Sequence, residues 1–223
     1  MKTRLVALLT AAVAALLSLN AAAALVVDTG EPTYGRDSPG DPILASYQGL
    51  AAQFVLSERH RITGVTGFIS SAGSAGSITV AIYADGGEVP GQELLLASAA
   101  VPAVTFTDDG ISVPGWYGPE GLDWLLGAGT YWVAFEVRAG QNFEGYMANP
   151  APNPLQFSAL SVGGIYTPES NFGPQPVADL GIRIYGDAVP VPEPTSLALG
   201  LLGLAAAAVV RIQTRRPRIS ARI

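Results

Sequence analysis

From residue 25 to residue 187 apolar and polar or small positions alternate along much of the chain. In SITVAIY, Thr79, Ala81 and Tyr83 separate Ile78, Val80 and Ile82. In TYWVAFEV, Trp132, Ala134 and Glu136 separate Tyr131, Val133, Phe135 and Val137. A period of two sends successive side chains to opposite faces, so both segments are predicted to be half-buried strands. By its place inside such a strand Trp132 is expected in the core, unless it takes the opposite face. AQFVLS (52–57), RITGVTGFIS (61–70), ELLLASAA (93–100), AVTFT (103–107), LQFSALSV (155–162) and GIRIYG (181–186) read the same way. GSAG, DGGEVPG, DDG, GAG and proline-rich stretches punctuate them, and no long segment of period 3.6 competes between the chain's ends. Short strands joined by turns, with no helix to serve as a parallel crossover, predict an all-β domain over residues 25–187. The expected architecture is an antiparallel β-sandwich of jelly-roll type.

The two ends break this pattern. Lys2 and Arg4 precede an uncharged run, Leu5 to Leu19, and then the small residues Ala21 to Ala24. That three-part layout predicts a signal peptide over residues 1–24, removed by signal peptidase. Near the other end, Thr195 to Val210 are sixteen residues without charge. At about 1.5 Å per residue they reach roughly 24 Å, enough to cross a slightly thinned bilayer. A single transmembrane helix is expected over 195–211. Arg211, Arg215, Arg216 and Arg218, with Arg222 beyond, form a basic stop-transfer cluster that should hold residues 212–223 in the cytoplasm and leave the body outside. Between body and span lies a neck, 188–194, in which Pro190, Pro192 and Pro194 fix their backbone angles and remove three amide donors. An extended, unpaired segment of this kind is easily gripped by a peptidase.

Composition sharpens the picture. At 49% hydrophobic and 13% charged, the chain is committed to a packed core, and 26 Gly and 17 Pro demand many turns. The absence of cysteine excludes disulfides, a thiol nucleophile and thiolate metal sites. Residues 25–190 hold seventeen Asp and Glu against five Arg, a net of −12. So acidic a body is a poor partner for nucleic acid, whose phosphates require a positive face.

Proline, glutamate, proline, apolar span and arginine cluster, in that order over about the last 33 residues, resemble the PEP-CTERM sorting signal of Gram-negative bacteria. The resemblance implies recognition by exosortase, a membrane protease-transpeptidase, with Pro192, Glu193 and Pro194 as substrate residues. The tail RIQTRRPRISARI is longer and more interrupted than that family's compact arginine run. Residues 45–140 are also similar to the choice-of-anchor domains of exported proteins, through "IY.D....PG" and "L.AGTYW". That likeness implies a β-sandwich and an external location rather than an activity.

Candidate chemistry is sparse. His60, the one histidine, lies between Arg59 and Arg61, where a solvated strand start is expected rather than a general base. No G-x-S-x-G elbow and no phosphate loop occurs. Asp85 with Glu88, or Asp108 with Asp109, could offer oxygen ligands to calcium, but ordinary turn acids account for them and no metal is assigned. Trp116, Tyr117 and Trp124, in VPGWYGPEGLDWLL, are candidate glycan contacts if they stand on a loop as a stacking platform. The expectation is therefore a non-catalytic exported protein without cofactor or metal. It would pass through an inner-membrane intermediate to the cell surface or extracellular matrix of a Gram-negative bacterium, in association with exopolysaccharide or biofilm. A lectin-like carbohydrate-binding module and a polysaccharide-acting hydrolase are the alternatives.

Overall fold

The computed structural model describes residues 24–32, 42–106, 112–148, 151–168 and 179–190. The signal peptide but for Ala24, the Pro192-Glu193-Pro194 motif, the expected span 195–211, the arginine cluster and the Asp108–Asp109 pair lie outside the described residues. The chain divides into two compact units, residues 1–189 and 190–223, of which only the first is described beyond its initial residue. No helix occurs among the described residues, so none there is long and apolar enough to cross a membrane.

The strands are β1 (Ala24–Asp28), β2 (Ile43–Leu44), β3 (Gln48–Leu56), β4 (His60–Ser71), β5 (Gly76–Asp85), β6 (Pro90–Val101), β7 (Thr105–Phe106) and β8 (Ser112–Val113), followed by β9 (Gly115–Tyr117), β10 (Glu120–Leu126), β11 (Gly129–Glu136), β12 (Gly145–Met147), β13 (Ser158–Val162), β14 (Ile165–Pro168) and β15 (Ile182–Ala188). One sheet runs β1-β15-β4-β12-β2, with β9 and β10 also pairing to β4. The other runs β14-β13-β3-β11-β5-β6, and β7 with β8 makes a small separate ribbon. Every ladder is antiparallel. The fold is all-β, two antiparallel sheets packed as a sandwich.

The alternation explains the core. Ile78, Val80 and Ile82 of β5, Val133 and Phe135 of β11, and Val137 just after it turn inward and meet Ile62, Val65 and Ile69 of β4 and Ile182 and Ile184 of β15. Burying each such side chain contributes roughly 1.5–3 kcal/mol before conformational entropy is set against it. Gly67 in β4 lets the sheets close: a Cβ there would sit 2.8 Å from Phe135 Cε1 and 2.7 Å from Met147 Cε. Glycine at this point is a packing requirement.

Several local expectations change. AVTFT shortens to the two residues of β7 and LQFSALSV to β13, while β3 starts four residues before AQFVLS. Residues 115–126, expected as a Gly/Pro-rich loop, form β9 and β10, paired along β4. Gly118 makes the break between them: a Cβ there would fall 2.0 Å from the Val65 carbonyl oxygen. Ala24, assigned to the signal peptide by the 1–24 boundary, opens β1 and pairs with Gly186.

Candidate functional site

The strand residues that alternate with the core set build a second layer on the outer face of the six-stranded sheet. Register places Ala134 of β11 opposite Ala51 of β3 and Ala81 of β5, and Ala51 opposite Ala159 of β13. These alanines form a shallow row across four strands. Their small side chains leave room for Tyr83 of β5 and Tyr166 of β14 to lean over them, with ring centroids 5.8 Å apart in an edge-on contact. Ala51, Ala134 and Ala159 are thereby fully buried although they point away from the main core.

Trp132 lies in this layer. It has no exposed surface and packs with the alanines, Tyr83 and Val89, not with the Phe135 cluster. Its indole N–H donates to Asp85 Oδ1 at 3.1 Å, the partner that a buried tryptophan requires. The same oxygen accepts from the Gly87 amide and Gln53 Nε2, each at 3.0 Å. The Gly87 amide, then the Trp132 and Gln53 donors, hold the Asp85 carboxyl below the usual carboxylate range. Asp85 thus orders the β5–β6 turn, where Gly87 takes a φ of 90°. Among the described residues no three His, Asp or Glu side chains gather around Asp85 and Glu88, or elsewhere, as a metal site would require.

Both tyrosine hydroxyls converge on one carboxylate. Tyr83 donates to Glu136 Oε1 at 2.7 Å and Tyr166 to the same oxygen at 2.6 Å. Arg138 Nε donates to Glu136 Oε2 at 2.6 Å, while Nη2 bonds Glu93 and reaches the Tyr83 oxygen at 3.1 Å. Burial, then the charge and hydrogen bonding of Glu136, push the Tyr166 hydroxyl far above its ordinary value. Burial and the hydrogen bond to Glu136 do the same to Tyr83. For Arg138 burial works against the charge, but the bonds to Glu93 and Glu136 outweigh it and raise the guanidinium further. Both phenols are therefore fixed as neutral donors and Arg138 as a cation.

Beside this network opens a cleft of about 630 Å³, lined among others by Tyr47, Gln48, Glu136, Arg138, Ile165 and Tyr166. Gly49 in its floor carries no side chain, so its amide donates to Ser161 Oγ at 2.8 Å, and a Cβ would stand 2.7 Å from that oxygen. The arrangement provides a fixed polar floor under an exposed rim, a geometry suited to binding.

The residues singled out as glycan contacts lie elsewhere. Trp124 is a correction: β10 turns it inward, only 9% exposed, into the core cluster, and it has no ring face to offer a sugar. Trp116, opposite Phe68 on β4, is covered by the Arg183 guanidinium 3.9 Å above its ring and by Phe68 at 5.1 Å. Tyr117 is half-buried against the core. His60 opens β4, its Nδ1 3.0 Å from the Glu58 carbonyl oxygen. Sequence reasoning missed Glu93, Arg138 and Tyr166. The signal was available for Tyr83 and Glu136, which share the alternation of Trp132, but the GGIYTP stretch that supplies Tyr166 shows no strand pattern of its own.

Residues 190–216 match the family model of the PEP-CTERM protein-sorting motif. The chain thus carries this motif directly after the last described strand, and the motif implies processing by exosortase and an exported, membrane-transiting protein of a Gram-negative bacterium. No curated protein matches the chain.

Proposed function

We propose that this protein is a non-catalytic β-sandwich delivered by its PEP-CTERM motif to the cell surface or extracellular matrix, where it associates with exopolysaccharide. The match over residues 190–216 carries the reading. The folded strands end at Ala188, two residues before the match begins, so a cut near the motif would leave the sandwich whole. The likeness of residues 45–140 to choice-of-anchor domains supports the same destination, and a body net charge of −12 suits solubility in a polymer matrix. Pro192, Glu193 and Pro194 are the residues offered to exosortase, the apolar run and the arginines that follow arrest the chain in the membrane beforehand, and signal peptidase trims the other end.

Intact mass of the protein recovered from cells with and without exosortase tests this. A carboxy terminus shortened near residue 194 only when exosortase is present is the expected result. An identical full-length tail in both strains would leave a permanently tethered protein.

A further inference from the structure

The cleft on the outer face of the six-stranded sheet has the features of a ligand site, independent of the sorting motif. Its volume, about 630 Å³, falls in the range typical of small-molecule pockets. Its floor is rigid, because Glu136 is held by Tyr83, Tyr166 and Arg138. Its rim is apolar and exposed: Tyr47 is 52% and Ile165 72% accessible. The Gly163 amide donates to the Tyr47 carbonyl at 3.2 Å and ties the β13–β14 turn to the β2–β3 turn, so the rim is preorganised.

Charge selects the ligand class. Glu93 and Glu136 face a single Arg138, which leaves the site with a net charge of −1 in an acidic body, and a phosphate or sulfate would be repelled. A metal cation is disfavoured as well, since the Glu136 oxygens are occupied by two hydroxyls and a guanidinium. What the cleft has free is a short set of hydrogen-bonding valences. Arg138 Nη1, on a side chain 33% exposed, makes no hydrogen bond among the described residues. Gln48 commits Nε2 to the Ile43 carbonyl at 2.8 Å, and its Oε1 accepts nothing among them. Donors and acceptors beside an exposed aromatic ring match the alternating hydroxyl and C–H faces of a pyranose.

We infer that this cleft binds a neutral saccharide, with Tyr47 stacking on a sugar ring and Gln48 and Arg138 hydrogen-bonding its hydroxyls. The inference deepens the exopolysaccharide reading above by naming the contact surface and rests on it only for where the ligand is met.

The test uses the full-length protein in detergent micelles on an array of neutral hexose, 6-deoxyhexose and N-acetylhexosamine oligosaccharides, with uronate and sulfated counterparts. Saturable binding to neutral glycans, and little to the charged ones, is expected. Tyr47→Ala, a change at an exposed position, should weaken that binding about tenfold or more, the scale of losing an aromatic anchor. Ile165→Ala should weaken it less, and Trp116→Ala should leave it unaltered while circular dichroism reports intact folds. No binding to any neutral glycan, preference for the sulfated ones, or equal binding by Tyr47→Ala would overturn the inference. Exosortase-dependent shortening, read by mass, should be the same in the Tyr47→Ala and unaltered proteins whatever the array shows, and its absence from both would count against sorting alone, so failure of the cleft and failure of sorting are read separately.

Discussion

Each outer face of the sandwich sets aromatic rings beside an arginine, and the two assemblies behave differently. On the six-stranded sheet, Tyr83 and Tyr166 spend their hydroxyls on Glu136, Arg138 closes the network, and a cleft opens beside it. On the seven-stranded sheet, the Arg183 guanidinium sits over Trp116, Phe68 packs against the ring, and the indole N–H is buried with no hydrogen-bond partner among the described residues. The first face ties its phenol hydroxyls to a carboxylate and keeps a rim free; the second stacks its ring shut. A tryptophan in a Gly/Pro-rich stretch is therefore no guide to a platform. Small residues facing each other across several strands are a better one, because they create the space in which larger side chains converge.

The strongest test of the contrast is Trp132→Ala. If the outer layer of the six-stranded sheet is a true second core, removing its fully buried indole should cost about 3–5 kcal/mol, comparable to Phe135→Ala in the main core. Urea midpoints at unchanged slope would measure both. A loss below about 1 kcal/mol for Trp132→Ala would mean that the layer only decorates the sheet.

Glu136→Gln should come next, at about 2 kcal/mol. It withdraws the charge from hydrogen bonds made by two tyrosines and Arg138, and bonds to charged groups contribute roughly 1.5–3 kcal/mol. The matching change on the other face, Asp28→Asn, removes a partly exposed ion pair with Arg183 and should cost well under 1 kcal/mol. Equal losses would erase the distinction between a satisfied network and a surface pair.

A smaller, pH-dependent effect follows from the same network. Tyr83 and Tyr166 have hydroxyls raised above the unfolded value of 10.0, chiefly by burial and then by Glu136. The folded protein holds these protons after the unfolded chain has begun to release them. Their contribution to stability is complete below pH 10 and declines as the pH rises above it. Chemical denaturation between pH 8 and 11 should show that decline, and Tyr166→Phe should make it shallower. Phenolate absorbance at 295 nm should show these two tyrosines ionising only as the protein unfolds.

The fold was largely legible because its signal is local. SITVAIY and TYWVAFEV announce both the strands and the residues that point inward, and Ile78, Val80, Ile82, Val133, Phe135 and Val137 are all in the core. The network was not legible because its members come from β5, β6, β11, β14 and the residues after β11, and alternation does not say which strands will be neighbours. Glu93 meets Arg138 across 45 positions of sequence, and Tyr166 meets Glu136 across 30. Residues 115–126 misled for a different reason. Glycine and proline there suggested a loop, yet Gly118 serves a close approach to β4 between two strands, and β10 then turns Trp124 inward.

The smallest predicted effect belongs to the stacked face. Arg183 sits 3.9 Å above Trp116 and donates to Asp28 at 3.1 Å, but its side chain is 25% exposed and that of Asp28 36%. A cation over a partly solvated ring contributes about 0.5–1 kcal/mol, and an ion pair at such exposure adds little. Arg183→Ala should therefore cost about 1 kcal/mol, while uncovering one face of the indole. A red shift and stronger iodide quenching of Trp116 emission, read in a background of Trp124→Phe, would report that opening. Trp132 stays buried and would not contribute to the quenching. If the shift appears and glycan binding is gained together with it, the arginine is what keeps this face from being a platform. If quenching is unaltered, Phe68 and β9 cover the ring by themselves, and the difference between the two faces lies in backbone placement rather than in the arginine.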